Sequence, residues 1–120
     1  MPYRVPDEVW STAKAEMRKT LVSVARDRRV IPYSDLVRQL QTINFSPEEF
    51  IFHRMLDQIS TEEDELGRGL LTVVVVHKAE DMRPGPGFFE LAESRGRDIA
   101  AIDATWLAEL DIVWAYWRDH

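Results

Sequence analysis

The sequence predicts a single α+β domain spanning residues 1–120, and three observations predict it. Segments with apolar residues at helical spacing fill the first half of the chain. A β-branched run, Leu70-Leu71-Thr72-Val73-Val74-Val75-Val76, is followed by a Gly/Pro-rich turn and a second apolar run. A last helical-period segment closes the chain. The expected architecture is three N-terminal helices, a small antiparallel β-hairpin sheet with a Gly/Pro-rich tip, and a C-terminal helix. The core covers residues 7–91 and the last helix residues 98–118.

Over residues 7–28, Trp10, Ala13, Met17, Leu21 and Val24 recur every three or four positions and so share one helix face. Asp7 and Glu8 suit the positive end of the helix dipole, and Arg26, Arg28 and Arg29 its negative end. Pro32 restricts Ile31 to extended geometry, so residues 29–33 read as a short strand or extended linker. Ser34 then caps a brief helix over residues 35–41, with Leu36, Val37 and Leu40 on one side. Ser46-Pro47-Glu48-Glu49 has the pattern of a capping box with proline at the first helical position, which starts a third helix there. Phe50, Ile51, Met55, Leu56 and Ile59 are its expected buried stripe, and Gly67 ends it. Residues 70–76 suit a pleated sheet because β-branched side chains lose rotamer freedom in a helix. Asp81-Met82-Arg83-Pro84-Gly85-Pro86-Gly87 carries turn chemistry, and Phe88-Phe89-Glu90-Leu91 is expected to return as the antiparallel partner. Whether residues 89–93 are strand or helix stays open. Ile99, Ile102, Trp106, Leu110, Val113 and Trp117 then mark the last helix.

Hydrophobic residues make up 45% of the chain and charged residues 30%, a balance that suggests neither disorder nor a membrane span. The N-terminal residues 1–6 lack an apolar stretch and a small-residue cleavage site, so a cytoplasmic location is expected. With no cysteine, disulfides, thiol nucleophiles, zinc ribbons and iron–sulfur ligation are all excluded.

The order helix, short strand, helix, turn, helix, strand, long hairpin tip, strand is that of the winged helix-turn-helix superfamily, which residues 7–91 resemble in topology. The resemblance implies a third helix in the DNA major groove and a hairpin tip, or wing, on the backbone. Ile31-Pro32-Tyr33-Ser34-Asp35-Leu36 also looks like the strand-to-helix entry of alkylguanine-DNA alkyltransferases and their alkyltransferase-like relatives. Their Pro-Cys-His-Arg-type reactive segment is absent, which removes the repair chemistry. Gly69, His77-Lys78 and Pro86-Gly87-Phe88-Phe89 are similar to a stretch in small bacterial proteins, a likeness that implies no function.

Charge argues against groove reading by the third helix. Residues 46–65 hold seven acids (Glu48, Glu49, Asp57, Glu62, Glu63, Asp64, Glu65) against Arg54, a net charge of −6 that equals that of the whole chain. Phosphate contacts dominate nucleic-acid affinity, so this surface would be repelled. The basic residues Arg26, Arg28, Arg29, Lys78 and Arg83 lie elsewhere, where a domain docking through its wing could use them; the plainer reading is solvated helix-end and loop charge.

Catalytic motifs are missing. His53, His77 and His120 are isolated in sequence and form no metal-ligand spacing. No serine sits in a Gly-x-Ser-x-Gly elbow, and neither Gly67-Arg68-Gly69 nor Gly85-Pro86-Gly87 can cradle phosphate. No cofactor or metal is expected. The expected function is non-enzymatic binding of a protein partner through the acidic third helix, at Glu48, Glu49, Glu62, Glu63, Asp64 and Glu65. The alternative is a DNA-binding regulator docking through Arg83 and the end of the first helix. Trp106, Leu110, Trp114 and Trp117 form a stripe wide enough for either core packing or a homodimer seam.

Overall fold

A computed structural model describes residues 5–78 and 81–120. Met1 to Arg4, most of the segment read above as lacking a leader, lie outside the described residues, as do Ala79 and Glu80 near the expected wing tip. Helix α1 (Asp7–Arg26) is followed by β1 (Ile31–Pro32), α2 (Tyr33–Gln39), α3 (Phe50–Glu65), a 3-10 turn (Leu71–Val74), β2 (Val75–Val76), α4 (Pro86–Ser94) and α5 (Ile102–Arg118). No described helix is long and apolar enough to cross a membrane.

The segment 70–76 is the centre of the molecule, with none of its residues more than 6% exposed. It is not the strand its composition suggests. Leu71–Val74 coils into a 3-10 turn, closed by the Val73 N–H on the Leu70 carbonyl at 2.9 Å. Only Val75 and Val76 are extended, and they pair in parallel with Ile31 and Pro32. The reason lies in what surrounds the run. Helices α1, α3 and α5 all pack on the turn, so no neighbouring strand is available to supply hydrogen bonds. Its backbone is satisfied by side chains instead: Leu70 N–H donates to Glu109 Oε2 at 2.8 Å and Thr72 N–H to Ser60 Oγ at 2.9 Å, while Val73 C=O accepts from Trp106 Nε1 at 3.3 Å. A continuous apolar run reports burial on all sides and does not by itself distinguish strand from other buried backbone.

The expected antiparallel hairpin is likewise corrected. The loop after β2 closes on one isolated antiparallel bridge, with His77 N–H donating to Arg83 C=O at 2.7 Å. Residues 88–91, expected to return as a strand, lie instead within α4, which also settles the open segment 89–93 as helix. Pro86 occupies the first helical turn, where its missing N–H costs nothing. Gly96 ends the helix at φ +90°, with its N–H on Glu93 C=O and the Arg97 N–H on Ala92 C=O, the Schellman arrangement. The winged-helix-like class with a two-stranded wing is therefore not the arrangement of this chain. Five α-helices around a buried turn and a two-residue parallel sheet are what the described residues form.

Smaller differences follow from end effects. Ser46-Pro47-Glu48-Glu49 does show the expected return bond, Ser46 N–H to Glu49 Oε1 at 2.8 Å, but it closes a separate turn and α3 begins at Phe50. The buried face of α3 is Phe52, Met55, Leu56 and Ile59, an i, i+3, i+4, i+7 set that turns Phe50 outward to 80% exposure. Gly67 ends α3 as expected, at φ +78°.

Candidate binding site

Helices α3 and α4 leave between them a cleft of about 410 Å³. Phe50, His53, Leu56 and Asp57 line it from α3, spacings that keep them on one helix face; Gly87, Phe88, Glu90, Leu91 and Ser94 line it from α4. Tyr33, at the start of α2, and Thr72, in the buried turn, complete it. Two physical features fix the geometry. The His53 ring donates from Nε2 to Pro47 C=O at 2.8 Å, pinning the 46–49 turn against α3. The Tyr33 ring lies between His53 and His77, its centroid 5.4 and 4.5 Å from theirs. Gly85 permits this stack, since a Cβ there would sit 3.0 Å from His77 Cδ2.

The electrostatics of the cleft are unbalanced. Asp57 is exposed overall, yet loss of solvation raises its pKa, Glu90 across the cleft raises it further, and only His53 opposes the effect. Burial pushes the Tyr33 phenol up as well, against the lowering influence of the Gly85 backbone N–H. Neither Asp57 nor Glu90 has an ion-pair partner among the described residues.

The acids singled out from sequence divide into two groups. Glu62 takes Lys14 at 2.7 Å and also Arg18; these hydrogen bonds outweigh burial and hold its carboxyl below the usual range. Glu63, 1% exposed, accepts two hydrogen bonds from Arg68. Asp64 is held below the usual carboxylate range by hydrogen bonds from Arg97, with burial opposing and Arg95 assisting. The run Glu62-Glu63-Asp64, expected to face a partner, is thus largely internal glue, joining α3 to α1 and to the loops that follow α3 and precede α5. Glu48, Glu49 and Glu65 carry no ion pair among the described residues, although Glu48 and Glu49 bond Ser46.

The basic residues are exposed, and each has a local partner. Arg26 donates to the His120 carbonyl at 2.9 Å and lies over the Trp117 ring; Arg28 lies over Trp114 and 3.8 Å from Asp111. Arg29 pairs with Asp27, Lys78 with Asp35 and Arg83 with Asp103. Arg83 and Arg26 adjoin opposite ends of α5, a 17-residue helix about 25 Å long. They therefore do not form one patch. On α5, Leu110 is buried at 3% exposure, and Trp106, Trp114 and Trp117 are partly buried against the core. The large apolar side chains that this helix exposes are Ile102, Leu107 and Ile112.

No hydrogen bond joins a serine or threonine hydroxyl to a histidine among the described residues, and Ser94 in the cleft spends its hydroxyl on Leu91 C=O. No group of three or more His, Cys, Asp or Glu side chains able to hold a metal ion occurs among them either. The site residues that sequence reasoning missed are Tyr33, Phe50, Asp57 and Glu90. The apolar pattern places Phe50 in the core, and the expected hairpin places Glu90 in a strand. The i, i+3, i+4, i+7 register of residues 52, 55, 56 and 59 is the signal that would have turned Phe50 outward.

Comparison with protein-family models, with curated proteins and with solved structures finds no match to this chain.

Proposed function

We propose that the protein is a non-enzymatic, cytoplasmic interaction module that binds a basic surface of a protein partner through its third helix, at the N-terminal half of α3 and the cleft it forms with α4. The observation that carries this reading is Phe50, 80% exposed at the rim of a cleft whose two carboxylates lack cations among the described residues. Large aromatic side chains next to a concavity are the usual anchors of protein interfaces. The acids without ion pairs among the described residues at this end of the helix, Glu48 and Glu49 in the turn before α3 and Asp57 on it, suit a partner of opposite charge and a salt-sensitive encounter.

The test is affinity capture from a native lysate with the immobilised full chain, compared with Phe50→Ala, Asp57→Asn and Glu62→Gln. The captured protein is expected to be retained by Glu62→Gln, lost with Phe50→Ala, and weakened by Asp57→Asn and by 0.5 M salt. Capture that survives Phe50→Ala and Asp57→Asn overturns the reading. The same preparation should not retard duplex DNA; retardation that falls steeply with salt and with Arg83→Ala would install the DNA-binding alternative in its place.

A further inference from the structure

We propose that the α3–α4 cleft takes one cationic side chain of the partner, an arginine in preference to a lysine. This rests on the interaction reading above and names the chemistry of its central contact. Asp57 and Glu90 come from facing helices and repel one another across the cleft. Two facing carboxylates without an ion-pair partner among the described residues, with only the His53 ring beside Asp57, are an unfavourable arrangement that a bound cation relieves. The chain's own nearby base does not serve. Arg54 is exposed, lines a different depression with Glu49, Phe50 and Ile51, and pairs with neither carboxylate.

The remaining walls match a guanidinium better than a hydrated ammonium. Phe50 offers an exposed aromatic face, while Phe88 and Tyr33, both nearly buried, line the cleft beside it; a planar, weakly hydrated cation stacks on such a face while its edge N–H groups reach carboxylates on either side. On the α4 wall the space beside Gly87 is open, since a Cβ there would meet nothing within 4 Å. The floor is closed, because Thr72 belongs to the buried turn and spends its N–H on Ser60. The cleft thus combines a volume of about 410 Å³, an aromatic lining and paired negative charge at one site.

The decisive experiment is titration of the isotopically labelled protein with acetylated, amidated pentapeptides that have arginine, lysine, glutamine or citrulline in a glycine background. Citrulline keeps the shape of arginine and removes its charge. Saturable amide shifts from the arginine peptide should map to residues 50–57 and 87–94. Citrulline should bind about tenfold more weakly, and Asp57→Asn or Glu90→Gln should weaken the arginine peptide about fivefold to tenfold. Both side chains are exposed, so neither substitution threatens the fold, which the spectrum itself reports. The proposal is overturned by citrulline binding within twofold of arginine, by shifts that map elsewhere, or by the absence of saturable shifts. If these peptides fail while capture of the partner still requires Phe50, the arginine assignment falls and the interaction reading stands.

Discussion

Arg97 makes more side-chain hydrogen bonds than any other of the described residues, and removing it should be severe. Its guanidinium makes five hydrogen bonds, two to Glu109, two to Asp64 and one to the Arg95 carbonyl. Glu109 is 2% exposed and also accepts the Leu70 N–H, so it anchors the central buried segment to α5. In Arg97→Met the Glu109 carboxylate stays buried with only the Leu70 N–H for compensation. Breaking a buried pair in this way costs about 3–5 kcal/mol, and the partial exposure of Arg97 places the expected loss near about 3 kcal/mol. At an unfolding entropy of about 2.1 cal/mol/K per residue, that lowers Tm by about 12 °C. Glu109→Gln in the same background removes the stranded charge while its amide oxygen still accepts from Leu70. The double variant should therefore lose at least about 1.5 kcal/mol less than the two single losses summed. Asp64 adds a pH signature. Its folded pKa is depressed, so its stabilisation is present above the ordinary carboxylate value of about 4 and disappears as the pH falls through the lower folded value. The Arg97→Met loss should shrink over that range. Urea unfolding of the four proteins at pH 7 and pH 3 measures all of this. A loss below about 1 kcal/mol at pH 7, or losses that add within about 0.5 kcal/mol, would refute the network as described.

Asp57→Asn should stabilise the unliganded protein at pH 7, by less than about 1 kcal/mol because the group is exposed and screened. The folded pKa is raised, so the stability Asp57 permits at low pH is lost as pH rises through the folded value, and thermal unfolding near pH 3 should no longer separate the two proteins. Gly69→Ala should cost at least about 2 kcal/mol in urea unfolding: Gly69 sits at φ +88°, and a Cβ would lie 3.0–3.1 Å from Ile112, Glu109 and Val113. Gly87→Ala, in the first turn of α4 with open space around it, should instead gain about 0.5 kcal/mol. Ser60→Ala leaves the buried Thr72 N–H without its acceptor and should cost about 1–3 kcal/mol.

Local signals were legible where local physics decides. Helix α1 reads from a single apolar stripe and charged ends. Gly67 reads as a helix end because its positive φ suits a residue without a Cβ. Where two registers compete, the finer pattern decides: residues 52, 55, 56 and 59 of α3 satisfy the helical period fully, and a set that starts at Phe50 does not. The two halves of the expected hairpin failed for different reasons. In residues 70–76, β-branched composition suggests pairing, whereas it expresses burial beneath three helices, two of which supply the side chains that satisfy the backbone: Ser60 from α3, Glu109 and Trp106 from α5. In residues 86–94, a proline and two phenylalanines were read as a turn and a strand, although proline at the first helical position and Gly96 past the last form a helix frame.

By itself the sequence determined most of the core, the extent of α1, the approximate places of α2, α3 and α5, the end of α3 at Gly67 and the absence of thiol chemistry, because these depend on composition and on spacings within one segment. Only the tertiary structure decided which charges are free. Glu62, Glu63 and Asp64 are neutralised by Lys14, Arg18, Arg68, Arg95 and Arg97 from as far as 48 residues away, whereas Asp57 faces Glu90 with no cation among the described residues. A carboxylate's availability depends on what lies within a few ångströms of it, and no spacing along the chain records that distance.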